Sequence, residues 1–224
     1  AVVRLGLPAG LTHLSEAGLF QGSALMMGWL GTVQLAAHGI ALELASLTFM
    51  IHMGLSNAAT VRAGHAYGAA DPARLRAGAK AAVLMSMVFA GLTIAVFLAM
   101  PETLVGLFVD RTKPEAAEIL VFGAHLLAVA GLFQLFDAAQ VMALGLLRGV
   151  HDTRVPMVIA TISYWLVGVP ASYILAFRFD LGGVGLWLGL VIGLACVGIT
   201  LMVRFWRGPW LNGTPADSGL RKAA

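Results

Sequence analysis

Six long apolar stretches constrain this chain more than any other feature. They lie near residues 5–28, 33–59, 78–100, 117–147, 156–177 and 183–203. A helix needs about 20 residues to cross a bilayer, and each stretch is long enough. Lipid cannot hydrogen-bond a backbone, so such segments are either helices or strands of a closed barrel. Barrel strands run about 10 residues and alternate in polarity. These stretches are continuous and twice that length. The expected fold class is therefore all-α integral membrane, a bundle of six transmembrane helices over residues 1–205. The polar, turn-rich remainder, 206–224, reads as a disordered tail. Only 11% of the residues are charged, against about 25% in soluble domains, so the solvent of most side chains is lipid. Cys196 is the only cysteine and cannot form an internal disulfide. The chain opens on Ala1 rather than Met, which suggests a fragment or a processed product. The first stretch is too long for the apolar core of a signal peptide.

Basic residues orient the bundle. Six spans place alternate connections on opposite sides, and of the 14 Lys and Arg only Arg111, Lys113 and Arg178 fall on one of them. The positive-inside rule then places both termini in the cytoplasm of a plasma (inner) membrane protein. The 101–116 connection and the 178–182 turn face outward.

Three acids, Glu16, Glu43 and Asp137, fall inside the spans away from their ends. An ionised acid at mid-membrane costs at least about 2.5–3.5 kcal/mol, so it faces other helices or a wet cavity. Glu16 lies about eleven residues into the first helix. It reads as a cation or proton site, with an interhelical hydrogen bond as the plainer alternative. Asp137 is flanked at i−3 and i+3 by Gln134 and Gln140. The three span a sector of about 120° on a helix, a polar wedge expected to face the bundle interior. It is either a cation site or polar glue between helices. Glu43 shares a face with Gly39, Ser46, Gly54 and Asn57, which is expected to pack inward; both roles stay open for it. His38 and His52 lie about 140° from Glu43 and read as interhelical hydrogen-bonding residues.

Other features carry weaker signals. His13 and Glu16 are spaced i,i+3, but no second such pair exists, and a metal site is not expected. Gly6–Gly10, Gly18–Gly22 and Gly185–Gly189–Gly193 are spaced by four, a pattern that lets helices approach closely. Tyr164 and Trp165 lie deep in the fifth span. They either line a cavity and stack on a cation or fill space. Pro8, Pro156 and Pro170 mark helix starts or kinks.

As a set, these segments resemble the multidrug and toxic compound extrusion (MATE) family. GLPAGLTHLSEAGLF is similar to its seventh helix, a Gly-Leu-Pro entry followed by a buried Glu. GWLGTVQLAAHGIALELASLTFMIHMGLSNAATVRAGHAYGA resembles the eighth helix and its exit. PETLVGLFVD resembles the outer connection after the ninth. LFQLFDAAQVMALGLLRGVHDTRVP, YWLVGVPASYILAF and GVGLWLGLVIGL resemble the tenth, eleventh and twelfth. The resemblance covers residues 4–205 in order. It implies the C-terminal six-helix lobe of a two-lobed, pseudo-symmetric transporter with a central cavity. It also implies cation coupling through Glu16 and Asp137, with Glu43, Gln134, Gln140, Tyr164 and Trp165 as candidates for lining the cavity. Four positions depart from the pattern. Gly39 stands where Gln is common, Glu43 where a neutral polar residue is usual, His52 where Pro is frequent, and Phe133 where some members carry Tyr.

The resulting functional expectation is a secondary antiporter exporting cationic amphipathic compounds in exchange for Na⁺ or H⁺. No cofactor beyond the coupling ion, no catalytic residue and no nucleic-acid partner is expected. The expected partners are small organic cations, the bilayer, and a missing N-terminal lobe or a second copy. The alternatives are a flippase for a lipid-linked precursor from the same superfamily, or a non-transporting scaffold half-protein. No Lys or Arg lies in the middle of a span, which argues against an anionic cargo. An intramembrane enzyme would need a nucleophile motif or a metal cluster, and the sequence offers neither.

Overall fold

A computed structural model describes residues 2–212, with side chains from residue 6 onward. Residues 213–224 of the expected tail, with Arg221 and Lys222, lie outside the described residues. The chain forms α1 (Val2–Leu30), α2 (Thr32–Gly68), α3 (Pro72–Ala99), a short α4 (Pro101–Gly106) and α5 (Ala116–Gly149). A fifth span, Arg154–Arg178, follows. It is built from α6 (Arg154–Ile162), a π-helical segment Ser163–Gly168, α7 (Val169–Tyr173) and a second π-helical segment Ile174–Arg178. Helix α8 (Gly182–Arg207) and a 3₁₀ turn (Pro209–Asn212) close the described chain. No strand occurs among the described residues. Five helical segments are long and apolar enough on composition alone to cross a membrane. Helix α1 is as long as α3 but is diluted by Thr12, His13, Ser15, Glu16, Gln21 and Ser23.

Two boundaries differ from the sequence expectation for a common reason. Apolarity ends near residue 59, but nothing there breaks a helix. Helix α2 continues nine residues further, to Gly68, and α3 starts at Pro72, in the first-turn position where the missing N–H costs nothing. Asp71 caps it, its Oδ1 accepting from the Arg74 N–H at 2.9 Å. At the other end the expected tail is ordered up to Asn212. Trp210 and Leu211 are buried, Trp210 Nε1 donates to the Phe205 carbonyl at 2.9 Å, and Arg76 donates to the Leu211 carbonyl at 3.1 Å. A tryptophan and a leucine inside a polar segment have apolar area to bury, and composition averaged over the whole tail hides it.

Helix α5 is the axis of the bundle, packed between α2, α3 and α8. Small residues set these distances. A Cβ on Gly149 would lie 2.7 Å from the Ala63 Cβ and from the Thr60 carbonyl oxygen. Where α2 and α5 meet, Ser56 donates to the Val141 carbonyl at 2.8 Å and Thr60 to the Gly145 carbonyl at 2.8 Å. Helix α8 meets the fifth span through Gly185, Gly189 and Gly193. A Cβ at Gly189 would run into the Ser172 backbone, and one at Gly193 would stand 2.9 Å from the Gly168 Cα. This is the close approach expected of the α8 stripe. The α1 glycines behave otherwise. Of the two pairs spaced by four, Gly6, Gly10 and Gly22 have nothing within 4 Å, and Gly18 alone is in contact, under the Trp165 ring. Spacing by four marks a smooth helix face, but it does not say whether a neighbour covers that face.

Pro170 accounts for the first irregularity of the fifth span. A proline inside a helix lacks an N–H and crowds the preceding turn. The turn just before it widens to π geometry over Ser163–Gly168, a distortion frequent at functional sites. Tyr164 sits in that widened turn.

Candidate functional site

The polar wedge on α5 faces inward: Gln134, Asp137 and Gln140 are all buried. Glu16 on α1 is also buried, at 7% exposure, and Asp137 at 2%. The two acids line the same cleft. Gln140 Nε2 donates to Glu16 Oε1 at 2.7 Å, tying α5 to α1. On the other side of the carboxylate, His13 Nδ1 stands 3.5 Å from Glu16 Oε2. The Tyr164 hydroxyl is buried against Glu16, Gln140 and Asp137 without a well-directed hydrogen bond, and Gln140 Oε1 is likewise buried and unpartnered. Two carboxylates thus stand beside two unclaimed oxygens, on three different helical segments.

In front of the acids lies an open cleft of about 380 Å³ between α1, α2 and α5. Glu16, Asp137, His13 and Ser46 are its polar side chains. Phe20, Phe49, Phe133, Met50 and Met53 are among its apolar walls, and no Lys or Arg lines it. Phe20 and Phe133 meet edge to face at 6.0 Å, and Phe133 in turn packs on Trp187 at 5.4 Å. A cleft with acids at its base and aromatic and thioether walls suits an amphipathic cation.

The structure separates the other sequence candidates. Gln140 and Tyr164 stand behind the acids rather than on the cleft wall. Gln134 is polar glue. Its Nε2 donates to the Ala45 carbonyl at 3.0 Å and to Thr48 Oγ1, both on α2. Trp165 is 44% exposed and lies outside the cleft, over Gly18. Glu43 is exposed, as are Gly39, Ser46, Gly54 and Asn57, so the face expected to pack inward points out of this bundle. The opposite, alanine-rich face of α2 carries Ala37, Ala41, Ala45, Ala59 and Ala63 and takes the buried side, because small side chains let α2 approach α5 closely. His38 and His52 lie on the buried side and bond between helices as expected. Trp187 Nε1 donates to His38 Nδ1 at 3.0 Å, and His52 Nδ1 pairs with Ser86 Oγ at 2.9 Å.

Sequence reasoning missed the cleft walls. His13, Ala17 and Phe20 follow the i, i+4, i+7 pattern on α1 beside Glu16, and Phe49 and Met53 repeat it on α2. An aromatic–methionine stripe next to a buried acid is the signal that was available.

Comparison with known proteins agrees with this architecture. The MatE family model matches residues 8–174. A probable multidrug resistance protein NorM of Rhizobium meliloti (strain 1021) is 45% identical over 92% of this chain, covering 44% of that protein. The protein of the same description in Pseudomonas putida (strain KT2440) is 43% identical over 99% of the chain and 47% of its own length. The chain thus spans about half the length of the curated relatives it matches. Among solved structures, the eukaryotic MATE transporter AtDTX14 superposes with a TM-score of 0.85 at 23% identity, over 94% of this chain and 46% of that one. An inward-facing MATE transporter of the MOP superfamily gives 0.81 over 96% of this chain and 49% of its own. Because the family model matches three quarters of the chain, residues 8–174, and the bundle superposes on half of each solved transporter, the chain belongs to the MatE family and has the fold of one lobe of a MATE transporter.

Proposed function

We propose that this chain forms one lobe of a secondary antiporter that exports cationic amphipathic compounds in exchange for Na⁺ or H⁺. One observation carries the reading: Glu16 and Asp137, from different helices, are buried together at the base of a cleft that no Lys or Arg lines, with His13 as the basic group beside Glu16. Two like charges at this depth need neutralising. A proton, a metal cation or an organic cation each supplies that. The neighbouring Gln140 Oε1 and Tyr164 hydroxyl add oxygen donors of the kind a hard cation takes. The aromatic and methionine walls offer the same place to a lipophilic cation. When both ligands require one pair of charges, each lowers the affinity for the other, and the coupling is reciprocal. The multidrug resistance relatives support the cargo class. The exposed polar face of α2, with Glu43, is the surface that a second lobe would meet across a central cavity.

Flux in proteoliposomes tests the reading. A transporter containing this lobe is expected to release Na⁺ or H⁺ into one compartment when an ethidium gradient is imposed from the other. Ethidium movement with no counter-flux of either ion would refute the antiport. Orientation has its own test. The basic-rich side is assigned to the cytoplasm, so in a Cys196→Ser background Thr112→Cys should label with an impermeant maleimide from outside whole cells. Ala73→Cys, exposed on the opposite side, should label only after permeabilisation. The reverse pattern would invert the topology.

A further inference from the structure

We infer that the cleft between the ends of α2 and α3 on the basic side of the bundle is a binding site for the headgroup of an anionic phospholipid. The cleft measures about 270 Å³, and Arg62, His65 and Arg74 converge on it. Arg62 arrives from α2 and lies over Gly78 of α3, where a Cβ would be 3.9 Å from its Nε. Arg74 arrives from the first turn of α3. No acid lines the cleft. The ion pairs formed among the described residues, His13–Glu16 and Asp152–Arg204, both lie elsewhere. The nearby Asp71 has an oxygen committed to the Arg74 backbone N–H. Two permanent cations and one titratable one therefore converge with no acid to offset them. A phosphate ester is the anion whose oxygens guanidinium groups bind in pairs. Basic pockets between transmembrane helices on this side of a membrane hold such headgroups.

A second observation identifies the anion as a lipid rather than a free ion. Along α3, Gly78, Ala81, Met85 and Val88 follow Arg74 within about 40° of the same face, at 100° per residue. Met85 is 51% exposed and Val88 62%, and Ala81 is exposed too. The basic cleft thus opens onto an uncovered apolar track that runs about 20 Å along the helix. A headgroup in the cleft would lay an acyl chain along that track. Inorganic phosphate has no use for it.

The test uses the purified chain in detergent, with thermal unfolding followed by tryptophan fluorescence. Phosphatidylglycerol, phosphatidylcholine and inorganic phosphate are each titrated at constant ionic strength. Phosphatidylglycerol is expected to raise the unfolding temperature saturably, and the other two to leave it unchanged. In Arg62→Gln/Arg74→Gln the half-saturating phosphatidylglycerol concentration should rise roughly thirtyfold, each basic contact contributing about fivefold. Lys113→Gln, on the opposite side, should leave it unaltered. If the double variant does not fold, Arg74→Gln alone, on an exposed first turn, should still give the fivefold shift. An equal response to phosphatidylcholine would overturn the proposal. So would an unchanged titration in the variants, and so would a response to inorganic phosphate that matches phosphatidylglycerol, which would make the cleft a phosphate site.

Discussion

Glu16→Gln and Asp137→Asn are each expected to reduce ion-coupled efflux to background while leaving the fold nearly intact. Each substitution keeps size and shape and removes only the titratable charge. In Glu16→Gln the amide carbonyl still accepts from Gln140 Nε2, so the 2.7 Å tie between α1 and α5 survives. Stability should hold in Glu16→Gln, where the half-exposed His13 is the partner lost, and hold or rise in Asp137→Asn, because removing a buried charge removes its desolvation cost. What disappears is the negative charge for which a coupling ion and an organic cation compete. Ethidium efflux from cells expressing each variant at matched levels measures this. Glu43→Gln is the built-in comparison: Glu43 is exposed on the outer face of α2, away from the cleft, and its loss should cost much less. Wild-type efflux in both Glu16→Gln and Asp137→Asn would show that the two acids are structural in this lobe.

Gly189→Leu and Gly149→Leu are expected to prevent stable assembly of the bundle. At Gly189 even a Cβ has no room beside the Ser172 backbone, and at Gly149 it stands 2.7 Å from a backbone oxygen of α2. Neither obstacle is the tip of a flexible side chain, so relief requires a whole helix to move. Ordinary overpacking costs about 1–3 kcal/mol, and a backbone collision on the central helix pairs should exceed that. The comparison is Gly22→Leu on α1, where nothing lies within 4 Å. Size-exclusion profiles and unfolding temperatures in detergent should be lost or strongly lowered for the first two and close to the parent for the third. A parent-like melt of Gly189→Leu would mean that α8 and the fifth span are not packed as described.

The contrast between these glycines shows where sequence and structure each decide. Long apolar runs determined the helical membrane class by themselves, because lipid admits only helices and closed barrels and barrel strands are short and alternating. Asp137 with Gln134 and Gln140 on one sector predicted an inward wedge, since a polar stripe on an apolar helix has nowhere else to go. The depth of Glu16 marked it for the same reason. Three-dimensional packing decided the rest. The His38 and Glu43 faces of α2 both carry polar side chains, and periodicity gives the angle between them but not which one meets α5. The alanines took that position because they permit close approach, and Glu43 was left outside. Gly6–Gly10 on α1 and Gly185–Gly189 on α8 are the same pattern in sequence. One is open and the other touches backbone, because contact is a property of the neighbouring helix and not of the stripe. Gln134 and Gln140, six residues apart on one helix, end in different roles for the same reason: Ala45 and Thr48 of α2 stand opposite the first, and Glu16 of α1 opposite the second.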